Sequence, residues 1–255
     1  MKYKLLFVFT ILLFCAFTYN GGDDKKLNKK LDDDSHHYTN IGNIGLTVTN
    51  FGTYGNGFVS WPNQPSCEYP IGSGIEHIFD GGLWVGGFIS NDSTGTNRTG
   101  PYVTTGAVDA SSSTRGSGFE YTNSAGSLVI ERSSLLDSRF YSPSAISHQD
   151  FVMDYVDTNT TYLNGEPIEG HSPLGLAIHE ETYAWNFPFA DFFVILNFTI
   201  KNVNDKYIDS VYVGLWTDPV VRNTKITPPG PTTFYNKGGD GYSDSLHIAY
   251  EFDAI

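Results

Sequence analysis

The chain has 255 residues, of which 40% are hydrophobic, 15% aromatic and 17% charged. This apolar content is enough for one large all-β domain, since such domains often reach roughly 200–250 residues. The 28 acidic residues outnumber the 15 Lys and Arg, so the net charge is −13. A surface of this sign repels phosphate backbones and argues against a nucleic-acid partner.

The N-terminus has the pattern of a secretory signal peptide. Lys2 and Lys4 precede the apolar run 5–17, and small or polar residues follow it. The run is too short to cross a bilayer comfortably, so we expect no transmembrane segment in the mature chain. We therefore predict a signal peptide at 1–20 and secretion to the exterior or the outer cell surface. A lipid anchor at Cys15 is the alternative, although the residue before it is bulky for a lipidation site.

A charged segment separates the signal peptide from the rest of the chain. Residues 21–37 alternate acidic and basic clusters with almost nothing to bury, which predicts a disordered tether. The folded domain is expected over 38–255. Short apolar runs separated by Gly, Pro, Ser, Thr and Asn fill that range, and no long run has helical periodicity. These features predict an all-β, β-sandwich-like domain of mostly antiparallel strands.

The predicted strands begin with one around Leu46 and Val48. A Gly-rich turn at 52–57 and a Pro-rich loop at 61–70 follow it. Asp80, Gly81 and Gly82 are expected to form a turn between two strands, because glycine permits positive φ. Further strands are predicted at 75–79, 83–89, 102–108, 118–122, 128–132, 149–156 and 174–186.

The most regular alternation in the chain lies at 192–200. Apolar residues occupy every second position there and share one face of an extended strand; they are Phe192, Val194, Leu196, Phe198 and Ile200. A second run has Val211, Val213 and Leu215 on one side. A short Asn/Asp-rich segment joins the two runs, which predicts a hairpin at the centre of a sheet. A last strand at 246–252 runs close to the end, from which we expect the domain to continue beyond this sequence.

Cysteine and histidine give no strong catalytic signal. Cys67 is the single cysteine after the signal peptide, which predicts a buried, inert thiol and no internal disulfide. The segment from His179 to Tyr183 lacks the second histidine that a helical zinc-protease motif requires. His179 and Glu181 share a strand face, as do His148 and its neighbour two positions on. We interpret these histidines as hydrogen-bonded structural residues.

A calcium site is the metal prediction. The segment 236–244 is Gly-rich with spaced carboxylates, and Asp218 ends the strand before it. Flexible glycine backbone lets carbonyl and carboxylate oxygens converge on a hard cation. We therefore predict Asp218, Asp240 and Asp244 as candidate ligands of a Ca²⁺ ion. The spacing is not that of an EF-hand, and a plain Gly/Asp turn is the alternative.

Two functions from different classes fit the residues. Aromatic side chains are the candidates for binding an extracellular glycan or a neighbouring domain of the same polypeptide, namely Trp61, Trp84, Tyr183 and Trp185, although burial in the core is the commoner fate of such residues. The alternative is a polysaccharide-active hydrolase, or its accessory domain, that uses an acidic pair. Its candidate acids are Glu76, Asp80, Asp150, Glu180 and Glu181. We predict a non-catalytic structural or binding module and assign no catalytic residue.

Several phrases of the sequence carry a resemblance to a known group of proteins. They are 74–86 (GIEHIFDGGLWVG), 145–151 (AISHQDF), 181–186 (ETYAWN), 211–218 (VYVGLWTD) and 238–241 (GGDG). Together they resemble the N-terminal β-rich region of large uncharacterised secreted proteins of Bacteroidota-type bacteria, many of which carry a type IX secretion sorting tail. The resemblance covers about 43–252. It implies secretion, a β-rich module and a longer parent protein, and the type IX route rests on the resemblance alone.

Overall fold

The computed structural model describes residues 35–57, 63–107, 120–123, 127–161, 165, 167–168, 170–226 and 238–253. The predicted signal peptide, Cys15, most of the predicted tether and Trp61 lie outside these residues. Every regular element of the described part is a strand, so the predicted all-β class is confirmed. The described part has no helix long and apolar enough to span a membrane.

Fourteen strands make up the described part of the chain. In chain order they are β1 (His36–Tyr38), β2 (Gly45–Thr49), β3 (Thr53–Gly55), β4 (Cys67–Glu68), β5 (Ile75–Ser90), β6 (Arg98–Thr105), β7 (Thr122–Asn123), β8 (Ile130–Arg132), β9 (Gln149–Val156), β10 (Leu176–Ala184), β11 (Ile195–Asn202), β12 (Tyr207–Asn223), β13 (Gly238–Ser243) and β14 (Ile248–Asp253).

The strands form two large sheets and one small one. The seven-stranded sheet has the order β1-β2-β3-β5-β12, with β4 beside β2 and β5 and with β6 beside β5. The five-stranded sheet has the order β11-β10-β9-β7, with β8 beside β9, and β13 pairs with β14 alone. The strand pairs of all three sheets are antiparallel.

The core lies between the two large sheets. Residues from both sheets belong to one apolar cluster, among them Leu46, Val48, Leu83 and Val85 of the larger sheet and Phe151, Met153, Tyr155, Leu176 and Ile178 of the smaller one. Alternation explains the inward faces, because successive side chains of a strand point to opposite sides of a sheet. The predicted β-sandwich-like arrangement of mostly antiparallel strands is confirmed.

The predicted central hairpin is wrong, although the strands themselves are present. β11 pairs with β10 in the five-stranded sheet, whereas β12 pairs with β5 in the seven-stranded sheet. The four-residue link 203–206 therefore carries the chain from one sheet to the other. The predicted inward face of β11 is correct, because Leu196, Phe198 and Ile200 all pack in the core. Periodicity identified the strand and its face but not its partner.

The predicted turn at Asp80, Gly81 and Gly82 is also wrong. These residues continue β5, where Gly81 lies opposite Tyr54 and Gly82 lies opposite Thr53. A Cβ atom at Gly81 would lie 2.3 Å from the Tyr54 ring, and one at Gly82 would lie 2.3 Å from the Ala107 nitrogen. The two glycines thus permit close packing inside a strand, which explains why the dipeptide looked like a turn.

The folded region begins earlier than predicted. His36 and His37, assigned to the tether, belong to β1 and pair with Thr49 and Val48 of β2. The Ser35 backbone N–H also donates to the Asn50 side chain at 2.8 Å. Main-chain pairing orders these residues despite their polar side chains.

Candidate functional site

The predicted ligand-binding residues lie in different places. Trp84 lies in β5, where its indole N–H donates to the Ala107 carbonyl oxygen at 2.7 Å. Tyr183 and Trp185 lie together at the end of β10, with ring centroids 6.4 Å apart. Tyr183 is only 6% exposed, and its hydroxyl donates to Glu181 at 2.6 Å. Its ring lies on the same face of β10 as Glu181 and is covered by its neighbours, so it offers little surface to a ligand.

Trp185 opens a dense aromatic segment that connects β10 to β11. We call residues 185–193 the aromatic loop; its aromatic residues are Trp185, Phe187, Phe189, Phe192 and Phe193. Phe187 and Phe189 stack with an interplanar angle of 8° and centroids 5.2 Å apart. Phe193 lies 5.9 Å from Trp185 and 5.7 Å from Phe192, between ring centroids. The rings form two adjoining groups along one loop.

Three of these rings are open to solvent. Phe189 is 74% exposed, while Phe187 and Phe192 are 42% and 41% exposed. Large apolar side chains on a soluble protein usually lose most of their exposure, so a contiguous exposed group marks a surface that binds something. The aromatic loop is thus the best candidate for a binding surface among the described residues.

Hydrogen bonds hold the aromatic loop in one conformation. Asn43 donates twice to Asp191, from its backbone N–H to the carbonyl oxygen at 2.7 Å and from its side-chain amide to the carboxylate at 2.8 Å. The Ala190 N–H closes a turn on the Phe187 carbonyl oxygen at 2.8 Å. A Cβ atom at Gly42 would lie 2.6 Å from the Trp185 carbonyl oxygen, so glycine is required for this close approach.

His148 supports the other side of the loop. Its Nδ1 accepts a hydrogen bond from the Asn186 backbone N–H at 3.2 Å, and its ring packs edge-on against Phe187 at 4.4 Å. His148 therefore does not pair with Asp150, the neighbour on its own strand face. Asp150 instead accepts hydrogen bonds from the backbone N–H groups of Ile146 and Ser147, both at 2.8 Å.

A charged network lies on the outer face of the five-stranded sheet. Arg132 contacts Glu181 at 2.5 Å and Asp150 at 3.6 Å. Burial alone would raise the pKa of Glu181, but hydrogen bonds from Tyr183 and Arg132 and the Arg132 charge outweigh it and lower that pKa. His179 contacts Asp154 at 2.8 Å and Glu181 at 3.8 Å. His179 and Glu181, which share a strand face, therefore belong to one charged network, as expected for a structural histidine.

Three of the five candidate acids for a hydrolase are buried. Glu76 is 7% exposed and accepts the backbone N–H groups of Ser66 and Cys67, and burial raises its pKa to about 7. Glu180 is 4% exposed, accepts the Tyr155 hydroxyl at 2.8 Å and has a pKa that burial raises to about 8. Asp150 is 0% exposed, which leaves Asp80 and Glu181 half-buried.

Cys67 behaves as a core residue. It lies in β4 at 9% exposure, and burial together with the nearby Glu76 charge raises the pKa of its thiol to about 12. A thiol with so high a pKa stays protonated near neutral pH and is a poor nucleophile. The predicted buried position is confirmed.

The predicted calcium loop has a different structure. Residues 238–243 form β13 rather than a flexible loop, and Asp240 lies opposite Glu251 of β14. Burial has the largest effect on the pKa of Glu251 and raises it, and the charges of Asp218 and Asp240 raise it further. These three carboxyl groups therefore lie near one another. The described residues nevertheless contain no group of three or more His, Cys, Asp or Glu side chains that could hold a metal ion.

Sequence reasoning missed four of the five aromatic-loop residues as ligand candidates. Phe192 was attributed to the core face of a strand, and Phe187, Phe189 and Phe193 were not singled out. The signal was present as five aromatic residues within 185–193 around Pro188, a residue that interrupts sheet pairing. No protein-family model, curated protein or solved structure matches this chain.

Proposed function

We propose that this chain is a non-catalytic binding module of a secreted or cell-surface protein and that it binds extracellular glycan through the aromatic loop. The observation that carries the proposal is the combination of a fixed backbone with exposed rings. A loop that served only the core would turn Phe187, Phe189 and Phe192 inward, yet their exposures are 42%, 74% and 41%. We infer that these rings are kept for a ligand.

The fixed backbone favours binding. The double hydrogen bond between Asn43 and Asp191 and the support from His148 hold the rings before a ligand arrives. A surface that is already ordered loses less conformational entropy on association, so more of the contact energy appears as affinity.

The chemistry of the rings suits sugars. Aromatic faces offer flat apolar contact, and a pyranose ring presents a flat C–H face of similar size. Binding sites for small ligands and chain segments combine such apolar contact with a few polar groups that orient the ligand. The exposed Asn186 lies between Trp185 and Phe187 and supplies an amide of that kind. The proposed secretion agrees with this ligand class, because many polysaccharides are extracellular.

The acid positions support binding over hydrolysis. Glycoside hydrolysis needs two carboxyl groups on either side of an accessible bond. Glu180 and Glu181 are consecutive residues of β10, so their side chains point to opposite faces of the sheet. Glu180 lies in the core, and Glu181 is held by Arg132 and Tyr183. Neither carboxyl group is placed to protonate a leaving group on the surface.

Retention on polysaccharide tests the proposal. The full chain would be run through native gels that contain neutral soluble polysaccharides, beside the double variant Phe187→Ala/Phe189→Ala. Tyr212→Ala is the matched control, because Tyr212 is 76% exposed on β12. We expect the wild type and the control to be retarded and the double variant to run freely. Equal retardation of all three proteins would remove the aromatic loop from the proposal.

A further inference from the structure

We propose a second sugar-binding surface on the hairpin formed by β13 and β14, where the rings of Tyr250 and Phe252 take the apolar face of an uncharged polysaccharide. This inference rests on the proposed glycan-binding function and assigns it a further site. The site includes the Gly-Gly-Asp-Gly run at 238–241, which has no part in the binding surface proposed for the aromatic loop.

The far atoms of the two rings lie over the neighbouring strand. Tyr250 pairs with Gly241 and Phe252 pairs with Gly239 in the antiparallel register. A Cβ atom at Gly241 would lie 2.5 Å from the Tyr250 Cζ, and one at Gly239 would lie 2.9 Å from the Phe252 Cζ. The ring atoms therefore occupy the space that side chains at 239 and 241 would fill. Glycine at these positions leaves room for the rings to pack over β13.

Both rings face the same side and stay exposed. Residues two apart in a strand share a face and lie about 7 Å apart along it, so Tyr250 and Phe252 form a row. Tyr250 is 51% exposed and Phe252 is 49% exposed. A ring that is half covered by glycine backbone below it keeps its outer face open to solvent. The row thus offers two consecutive flat apolar surfaces.

The opposite face of the hairpin attaches it to the large sheet. Glu251 lies between the two aromatic residues, so its side chain points the other way. Its carboxylate lies near the Val221 backbone of β12 and near Asp218, whose charge raises the pKa of Glu251 after the larger effect of burial. Asp240, the partner of Glu251, belongs to the same face. The hairpin is therefore joined to the domain by one face while the aromatic face is left open.

Charge excludes anionic ligands. Residues 238–252 contain three acidic side chains and no Lys or Arg; the acids are Asp240, Asp244 and Glu251. This local field, added to the net charge of −13, repels sulfated and uronic-acid polymers. An uncharged polysaccharide avoids that repulsion and still offers C–H faces to the rings.

Variants that tilt or remove a ring test the site in the full chain. Gly241→Ala keeps both rings but places a methyl group under Tyr250, and Phe252→Ala removes one ring. Tyr242→Ala is the control, because Tyr242 is 59% exposed and faces the other side of the hairpin. Phe252→Trp keeps an aromatic face. Melting curves of each variant show that the domain is folded.

Affinity gels with a neutral galactomannan, an anionic polygalacturonate and a cationic chitosan give the readout. We expect Gly241→Ala and Phe252→Ala to weaken binding to the neutral polymer by about three- to tenfold, the size of one ring contact. Tyr242→Ala and Phe252→Trp should bind as the wild type does.

The outcomes separate this site from the aromatic loop. Wild-type affinity in both hairpin variants, with loss in Phe187→Ala/Phe189→Ala, would overturn the hairpin site and leave the proposed function standing. Binding by the wild type to none of the polymers would overturn both. Binding confined to the anionic or the cationic polymer would overturn the assignment of an uncharged ligand.

Discussion

Glu180 and Glu181 show how burial decides the chemistry of neighbouring residues. Glu180 points into the core, where burial raises its pKa to about 8. Glu181 points outward, where hydrogen bonds from Tyr183 and Arg132 outweigh its partial burial and lower its pKa. Alternation in the sequence places the two on opposite faces, but which face meets the second sheet depends on tertiary packing.

The raised pKa of Glu180 predicts a stability that falls as pH rises. The folded protein holds this proton up to about pH 8, whereas the unfolded chain releases it near the ordinary glutamate pKa of 4.5. Stability from this group is therefore full below about pH 4.5 and is lost as pH rises toward 8. Glu76, with a pKa raised to about 7, adds an effect of the same sign.

Glu180→Gln tests this prediction by urea unfolding at pH 5 and pH 8. The amide keeps an acceptor for the Tyr155 hydroxyl but has no proton to release. We expect the wild type to lose on the order of a few kcal/mol of unfolding free energy between the two pH values, and the variant to lose clearly less. The same loss in both proteins would show that Glu180 does not titrate in this range.

At the scale of elements, the aromatic loop depends on its contact with Asn43. Asp191→Ala removes the carboxylate that accepts the hydrogen bond from the Asn43 side-chain amide, and it leaves every ring of the loop in place. We expect this variant to lose about 1 kcal/mol of stability and to bind glycan more weakly, because the rings are less well ordered. Asp205→Ala, an exposed aspartate in the link between β11 and β12, is the control.

Asn43→Ala completes a double-mutant cycle for that contact. If the hydrogen bond carries the effect, the double variant should be no weaker than either single variant in a binding titration. Strictly additive losses would mean that the two residues act on binding separately.

A bulge in β12 sets which of its residues meet the core. Ser210 has a φ of 52°, and the register with β5 shifts between Asp209 and Tyr212. Ile208 and Val213 both pack on the core although they are five positions apart, which an unbroken alternation would forbid. Val211, which the sequence alternation places on the same side as Val213, is 37% exposed.

Ser210→Val tests the bulge. A β-branched residue is poorly tolerated at positive φ, so we expect a loss of roughly 1–2 kcal/mol in unfolding free energy. Ser210→Gly should be close to the wild type, since glycine adopts this conformation freely. Equal stabilities for the Val and Gly variants would contradict a strained position.

Strand prediction succeeded where one face is clearly apolar. β9 was predicted at its observed bounds, and β10 was predicted with a small excess at each end. The partner strands of β11 and β12 were predicted wrongly. Periodicity is a property of one strand, whereas pairing depends on two strands. β12 has 17 residues and matches the 16-residue β5, a partner more than a hundred positions away in the chain.

Over the whole molecule, both proposed binding surfaces lie outside the sandwich core. The aromatic loop connects two strands, and the β13–β14 hairpin is attached to the edge strand β12. Composition showed that the chain is rich in aromatic residues, but Tyr183 and Trp185 differ in exposure although they are two positions apart. Only the packing of the two sheets separates aromatic residues of the core from those of the surface.

The calcium prediction shows the same limit. Glycine and aspartate residues such as those in 238–244 occur in cation-binding loops. They also occur in strands over which an aromatic side chain of the neighbouring strand packs. Pairing with Tyr250 and Phe252 distinguishes the two cases, and that pairing requires β14. The sequence contains both partners but does not show that they are aligned.

The binding isotherm of the full chain for a neutral polysaccharide is the most direct test of the account. We predict saturable binding by the wild type and by Tyr212→Ala, at least about tenfold weaker binding by Phe187→Ala/Phe189→Ala, and no release of reducing ends. Failure of the wild type to bind any polysaccharide of a broad panel would contradict the account. Release of reducing ends that stops on substitution of a carboxylate would instead show that the chain is a hydrolase.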